Sequence, residues 1–240
     1  MIGDSLFAPE RLPECRLHLI SSTQALLGDT IGLSDDEWQS PSGLPGWTRA
    51  HVASHLAQGA NRLTALVGQL NPGGPPLAWP ISQPDHDLEA ESRRRAVVLQ
   101  VALDTSASRL LAALERLTDE AWSHPLLTPA GPLPARAVAY VQLNEVVLHH
   151  LDLRLGLSLR DIDLSLVANL LLWNAQRLDG RMRHHRLHLV SDEGLDLIIG
   201  SGPQVTDIRG SSAGLLGWLS GRLDARSVLG ADHIDLGGPI

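Results

Sequence analysis

"LPGWTRAHVASHLA", residues 44–57, carries a turn into a helix and sets His51 and His55 one turn apart on it. Pro45 and Gly46 break any preceding element, and Thr48 offers a hydroxyl suited to capping the amides that a helix start leaves open. The helix predicted from there runs to about residue 70 with apolar residues at three-four spacing, so one face is buried. A lone histidine on such a face is usually a satisfied packing residue. Two at i, i+4 on a helix packed among other helices make a better metal candidate, one that still needs partners from elsewhere in the chain.

Three further long helices accompany it. Leu12, Leu17, Leu19, Ile20, Leu26 and Leu27 mark a helix from about 8 to 33. After an acidic opening, "DHDLEAES", the run Val97, Val98, Leu99, Val101, Leu103, Leu110, Leu111 and Leu114 predicts one amphipathic helix over 86–117. The last spans about 135–156 through "RAVAYVQLNEVVLHHLDLRLG". Between the second and third, "NPGGPPLAWPISQPD", 71–85, reads as a long connection, because proline lacks an amide donor and clashes with a preceding turn. Four long helices with long connections predict a bundle in which sequence neighbours are not all spatial neighbours, and such bundles house metals on facing helices.

Beyond residue 157 the texture changes. "DLSLVANLLLWNAQRL" predicts another helix, "RLHLVS", "LDLIIG" and "QVTDIRG" three short strands, "SSAGLLGWLSGRL" a last short helix, and "HIDLG" a closing strand. The expected fold is therefore α+β, an N-terminal four-helix bundle over residues 1–157 followed by a smaller C-terminal α+β domain over 158–240.

A net charge of −8 argues against a nucleic-acid partner, whose phosphates need clustered cations. All 19 basic residues are Arg, which reads as codon bias, although the guanidinium fork suits carboxylates. The single cysteine, Cys15, permits no internal disulfide and reads as a small buried hydrophobe. The N-terminus lacks a signal-peptide pattern and no uninterrupted apolar run approaches the ~20 residues of a membrane span, so a cytoplasmic protein without a membrane partner is expected.

The chemistry-bearing segment of the last bundle helix is "NEVVLHHLDL", residues 144–153, where Glu145 and His149 share a face four residues apart. An exposed Glu–His pair has the same spacing and contributes only a few tenths of a kcal/mol. Val146, Val147 and Leu148 weigh against that, since an apolar neighbourhood makes an unpaired carboxylate costly. With one imidazole from the second helix the set becomes two His and one carboxylate, the usual ligands of a catalytic zinc with a position left open. "HVASH" is no HExxH peptidase motif, because Val52 stands where the general-base Glu is needed. In "RMRHHRLH", residues 181–188, His184, His185 and His188 lie among Arg177, Arg181, Arg183 and Arg186 and read as a solvated basic face. Trp47 could line a pocket beside the helix or pin the turn, and the packing-anchor reading is preferred.

These two segments resemble those of the mycothiol-dependent maleylpyruvate isomerases of the DinB-like superfamily. "LPGWTRAHVASHLA" is similar to their GWT-x-x-H-x-x-x-H-x-A segment and "NEVVLHHLDL" to their E-x-x-x-H-x-x-D-L segment; "EAWSHPLLTPAG" and "GSSAGLLGWLSGR" extend the likeness. The resemblance implies that His55, Glu145 and His149 ligate zinc, that His51 holds a supporting position, and that Arg222 meets the substrate's carboxylates. It also implies mycothiol as thiol cosubstrate and a small carboxylate or other electrophile as substrate, in a monomer or homodimer. Where the family often has Arg just before the metal Glu, this chain has Gln142, Leu143 and Asn144. A thiol S-transferase on the same thiolate and a non-catalytic binding module are the competing readings. His150 and Asp152 are read as neighbours, with Asp152 placed to orient a ligand imidazole.

Overall fold

The computed structural model describes residues 6–79, 87–129 and 131–236. Its elements divide into two compact units, Leu12–Leu157 and Met1–Arg11 with Ser158–Ile240.

In the first unit four long helices form a ring: α1 (Leu12–Thr30), α3 (Arg49–Val67), α5 (Ala96–Glu115) and α7 (Ala137–Asp152). Helix α1 packs on α7 and α5, and α3 packs on α5 and α7, so the order around the ring differs from the order along the chain. The closest approach by extent is α3 against α5, and the sequence explains it. Ala50, Ala53, Ala57 and Ala60 on α3 are small and buried, which lets the Leu99, Leu103, Ala107, Leu110 stripe of α5 come close. Helix α7 is covered almost throughout, with Val138, Tyr140, Leu143, Val147 and Leu148 all in the core.

Short elements complete this unit. Helix α2 (Asp35–Gln39) opens on a Ser34–Glu37 capping box. Helix α4 (Leu88–Ser92) packs on α3, and α6 (Asp119–Trp122) leads into a hairpin of β2 (Pro125–Thr128) and β3 (Gly131–Pro134), joined on its other edge by β1 (Leu77–Ala78). The single helix expected over 86–117 is thus two among the described residues. The chain breaks at Arg93–Arg95 because Asp35 Oδ1 accepts the Ala96 amide at 2.5 Å, giving α5 its own start. Residues 80–85 of the long connection, and His86, lie outside the described residues.

Helix α5 is one described helix long and apolar enough to cross a membrane by length and composition. It carries Gln100, Asp104, Ser106 and Arg109, and its apolar stripe is the one that α3 covers.

In the second unit α8 (Leu164–Asp179) and α9 (Ser212–Leu219) pack on each other and on one side of a three-stranded sheet. Strand β4 (Arg186–Ser191) is central, antiparallel to β5 (Asp196–Gly200) and parallel to β6 (Val205–Gly210). Leu187, Leu189, Ile199 and Ile208 point to the helices, as strand alternation requires. The closing strand expected at 233–237 is absent among the described residues 233–236; Leu229 instead bridges Arg209 on β6. The α+β architecture with an N-terminal four-helix bundle is the one expected from the sequence.

Candidate metal centre

Helix α3 begins where the sequence places it. Thr48 Oγ1 accepts the His51 amide, and the His51 ring reaches back to the Thr48 amide, which donates to Nδ1 at 3.2 Å. The ring hydrogen is therefore on Nε2, 2.9 Å from Glu89 Oε2 and 3.2 Å from Ser92 Oγ, both on α4. His51 fastens α4 to the start of α3. Its ring is committed on both nitrogens, and the i, i+4 histidine pair does not act as a unit.

One turn on, His55 Nε2 lies 3.3 Å from Glu145 Oε2, and His149 Nε2 reaches the same oxygen at 3.3 Å from α7. The two imidazoles cross edge to face with centroids 4.9 Å apart. One donor atom from each of the three residues falls within 4.8 Å of the others. A cation bound tetrahedrally at about 2.0–2.2 Å holds its donors roughly 3.3–3.5 Å apart, so the observed spacing fits one ion in an N2O set. The site is also accessible, as 32% of the Glu145 side chain and 24% of the His55 side chain reach solvent.

The electrostatics suit a cation. Burial pushes the Glu145 carboxyl up, but hydrogen bonds from His149 and His55 outweigh it and hold the group well below the usual carboxylate range. Burial pushes His149 down, while the Asp152 and Glu145 contacts carry it above its ordinary value. A carboxylate kept ionised between two imidazoles has the charge and ligand type that zinc takes up on displacing their protons.

The surroundings hold these donors. Asp152 Oδ2 accepts from His149 Nδ1 at 2.8 Å, directing Nε2 toward Glu145 and His55. The Asp152 carbonyl accepts the Gly43 amide at 2.6 Å, and a side chain at position 43 would meet Asp152 backbone at 3.2 Å. Ser42 ties the turn closed through its hydroxyl to the Trp47 carbonyl at 2.8 Å. Trp47 then lies against both histidine rings, 5.4 Å from His55 and 6.2 Å from His51. The sequence favours an anchoring role for Trp47 over lining the pocket; the GWT-x-x-H-x-x-x-H spacing, which places it just ahead of the helix face bearing both rings, is the signal for the second. His150 points elsewhere, its Nε2 2.9 Å from Asp29 Oδ2 on α1. Arg222 belongs to the other unit, just after α9, where its Nη1 donates to the Ser220 carbonyl at 2.6 Å.

Two histidines and a glutamate on facing helices of a four-helix bundle make a donor set that could hold one metal ion. Residues 21–154 match the mycothiol maleylpyruvate isomerase N-terminal domain, and the chain belongs to that family. Two similar solved structures are the crystal structures of the mycothiol-dependent maleylpyruvate isomerase and of a histidine-to-alanine mutant of it. Each has a TM-score of 0.75 and 24% identity; the mutant covers 90% of this chain and 91% of its own, the other 89% and 90%. At that identity the likeness is one of fold. No curated protein matches.

Proposed function

We propose that the protein is a zinc- and mycothiol-dependent cis-trans isomerase of maleylpyruvate-type substrates, with His55, Glu145 and His149 as the zinc ligands. The observation that carries this reading is the convergence of two imidazole Nε2 atoms on one oxygen of Glu145 from two helices. Zinc in an N2O set with an open position supplies the charge that keeps a thiol deprotonated near neutral pH.

The mycothiol thiolate adds to one carbon of the cis double bond, leaving a single bond and an enolate. Rotation about that bond, followed by loss of the same thiolate, re-forms the double bond as trans, with no net change in atoms. Trp47 and the Asp152–His149 contact hold the two imidazoles in place during the cycle. Arg222 binds the carboxylates and stabilises the enolate charge.

One observation favours a thiol S-transferase as second reading: Gln142, Leu143 and Asn144 are buried and uncharged just ahead of Glu145, so no cation precedes it. A transferase leaves the thiol attached to its product.

Metal analysis combined with a thiol-dependence assay on maleylpyruvate tests the proposal. The expected result is stoichiometric zinc and a thiol-dependent product of unchanged mass; a product heavier by the thiol selects the transferase. His55→Ala and His149→Ala should each lose zinc and activity with the helical circular-dichroism spectrum intact, and full zinc occupancy in either rejects the ligand assignment. Arg222→Ala should lose activity at unchanged zinc content.

A further inference from the structure

The start of α7 holds a cation that its surroundings do not match. Arg136, the residue just before the helix, is only 9% exposed. Its backbone is fixed against the end of α6: the Arg136 amide donates to the Trp122 carbonyl at 3.0 Å and the Ala135 amide to the His124 carbonyl at 2.8 Å. A guanidinium has five N–H donors. One of them, on Nη2, reaches Ser123 Oγ at 2.8 Å, while the Nε–H is buried and meets no acceptor among the described residues. No carboxylate among those residues pairs with this side chain.

The helix sharpens the imbalance. Helix α7 is 16 residues long, its first turn has no acidic residue, and Arg136 at the N-cap gives the open amides no side-chain hydrogen bond. A positive charge therefore sits at the positive end of a helix dipole, where an anion is favoured. Burying a charge is expensive unless a counter-charge goes with it. A water at Nε would satisfy the hydrogen bond and leave the charge unmatched. A second cation stands close by, since Arg16 on α1 lies over the Trp122 ring with its guanidinium carbon 6.0 Å from the centroid. The way in is open. Ser123 is exposed, and its hydroxyl proton is committed to the Asp119 carbonyl at 3.0 Å, so Ser123 orients the amino end of the Arg136 fork beside the surface.

We infer that Arg136, with Arg16 as a second cation beside Trp122, forms a binding site for a phosphate-type oxyanion at the start of α7. The remaining guanidinium donors supply paired hydrogen bonds to such an ion, and the helix end adds its positive field. Nine residues separate Arg136 from Glu145, about 14 Å along the helix. The site is therefore distinct from the candidate metal centre and does not depend on reading that centre as a zinc site.

Thermal melts in sodium phosphate and in sodium chloride at matched ionic strength test this, with calorimetric titration of inorganic phosphate as the direct reading. A ligand of the folded state, present at ten times its dissociation constant, raises the melting temperature of a chain this size by roughly 3–6 °C. The wild type should show that rise in phosphate. Arg136→Gln should weaken phosphate binding about tenfold or more, Arg136→Lys, which keeps the charge without the fork, should retain part of it, and Arg16→Gln should lower affinity by a smaller factor. Glycerol phosphate separates the sources: tighter binding than inorganic phosphate assigns a phosphoester, and equal or weaker binding assigns the free ion. Arg136→Met should melt no lower than wild type in chloride, because it removes an unmatched buried charge, and should not respond to phosphate. No phosphate shift in the wild type overturns the inference. So does a shift of the same size in Arg136→Gln, which would place the phosphate elsewhere, on a bound metal included. An Arg136→Met protein that melts well below wild type in chloride also overturns it, since the charge would then have its partner within the protein.

Discussion

The side chains around the candidate metal centre divide into those that present donors and those that fix the presenters. Asp152 belongs to the second group. Its carboxylate can only accept from His149 Nδ1, so one ring hydrogen is held there and Nε2 is directed at Glu145 and His55, where a bound cation would take the place of the Nε2 proton. Asp152→Asn should therefore weaken zinc binding about 10- to 100-fold with the fold intact, as loss of outer-shell partners typically does. A chelator-competition titration reads it, and unchanged affinity rejects the positioning role. His51→Ala gives the contrast: zinc content should stay, while stability falls by about 1 kcal/mol with the cap and the α4 contact, measured by urea unfolding. The i, i+4 and i, i+3 spacings made Glu145, His149 and Asp152 legible in the sequence, because one rigid helix fixes those relations. What His51 does was not legible, since its partners Glu89 and Ser92 are about forty residues away on a helix whose packing no local pattern encodes.

Elements with a cap or a clean period were readable, and elements made by tertiary contact were not. Thr48 marked the start of α3, and its removal should cost about 1 kcal/mol in Thr48→Ala, seen as a lower urea midpoint at unchanged m value. The β2–β3 hairpin went unread because Pro125, Pro132 and Pro134 signal a connection; they are tolerated in a short sheet where few ladder donors are needed. His188 shows the same limit in the second unit. Among arginines in sequence, it lies on β4 between Asp196 and Asp207, each 3.0 Å from a different ring nitrogen, so at this residue the expected solvated basic face is an imidazole clasped by two carboxylates. The Asp207 and Asp196 hydrogen bonds raise its pKa, and Arg209 and His188 lower that of Asp207. A raised histidine value stabilises fully below the unfolded value of about 6.5 and is lost as pH rises through the folded one. The Asp207 contribution is present above about 3.9 and is lost as pH falls through its lower folded value. Thermal melts should thus show His188→Asn most destabilised relative to wild type near pH 5.5–6 and little different at pH 9. An equal gap at both pH values contradicts this.

At the scale of the whole chain, the proposed reaction draws on an external thiol, while the fold keeps the protein's own single thiol out of reach. Cys15 on α1 is fully buried, and burial, with Glu14 adding to it, pushes its pKa up to about 12. At pH 8 the thiolate fraction is then about 10⁻⁴, and the thiolate is the form that attacks a disulfide or an electrophile. The chain thus has no accessible sulfur to form a mixed disulfide with mycothiol or a covalent adduct with an electrophile. Both the isomerase and the transferase readings must run on the thiol of the cosubstrate alone, with no protein-bound thiol intermediate. The native protein should react with less than one equivalent of an aromatic disulfide reagent over hours and with one equivalent after unfolding in guanidinium. Intact-protein mass spectrometry during turnover should show no thiol adduct, whereas rapid native labelling or an adduct mapped to Cys15 would mean that α1 opens on the timescale of the chemistry and that the cysteine belongs in the mechanism.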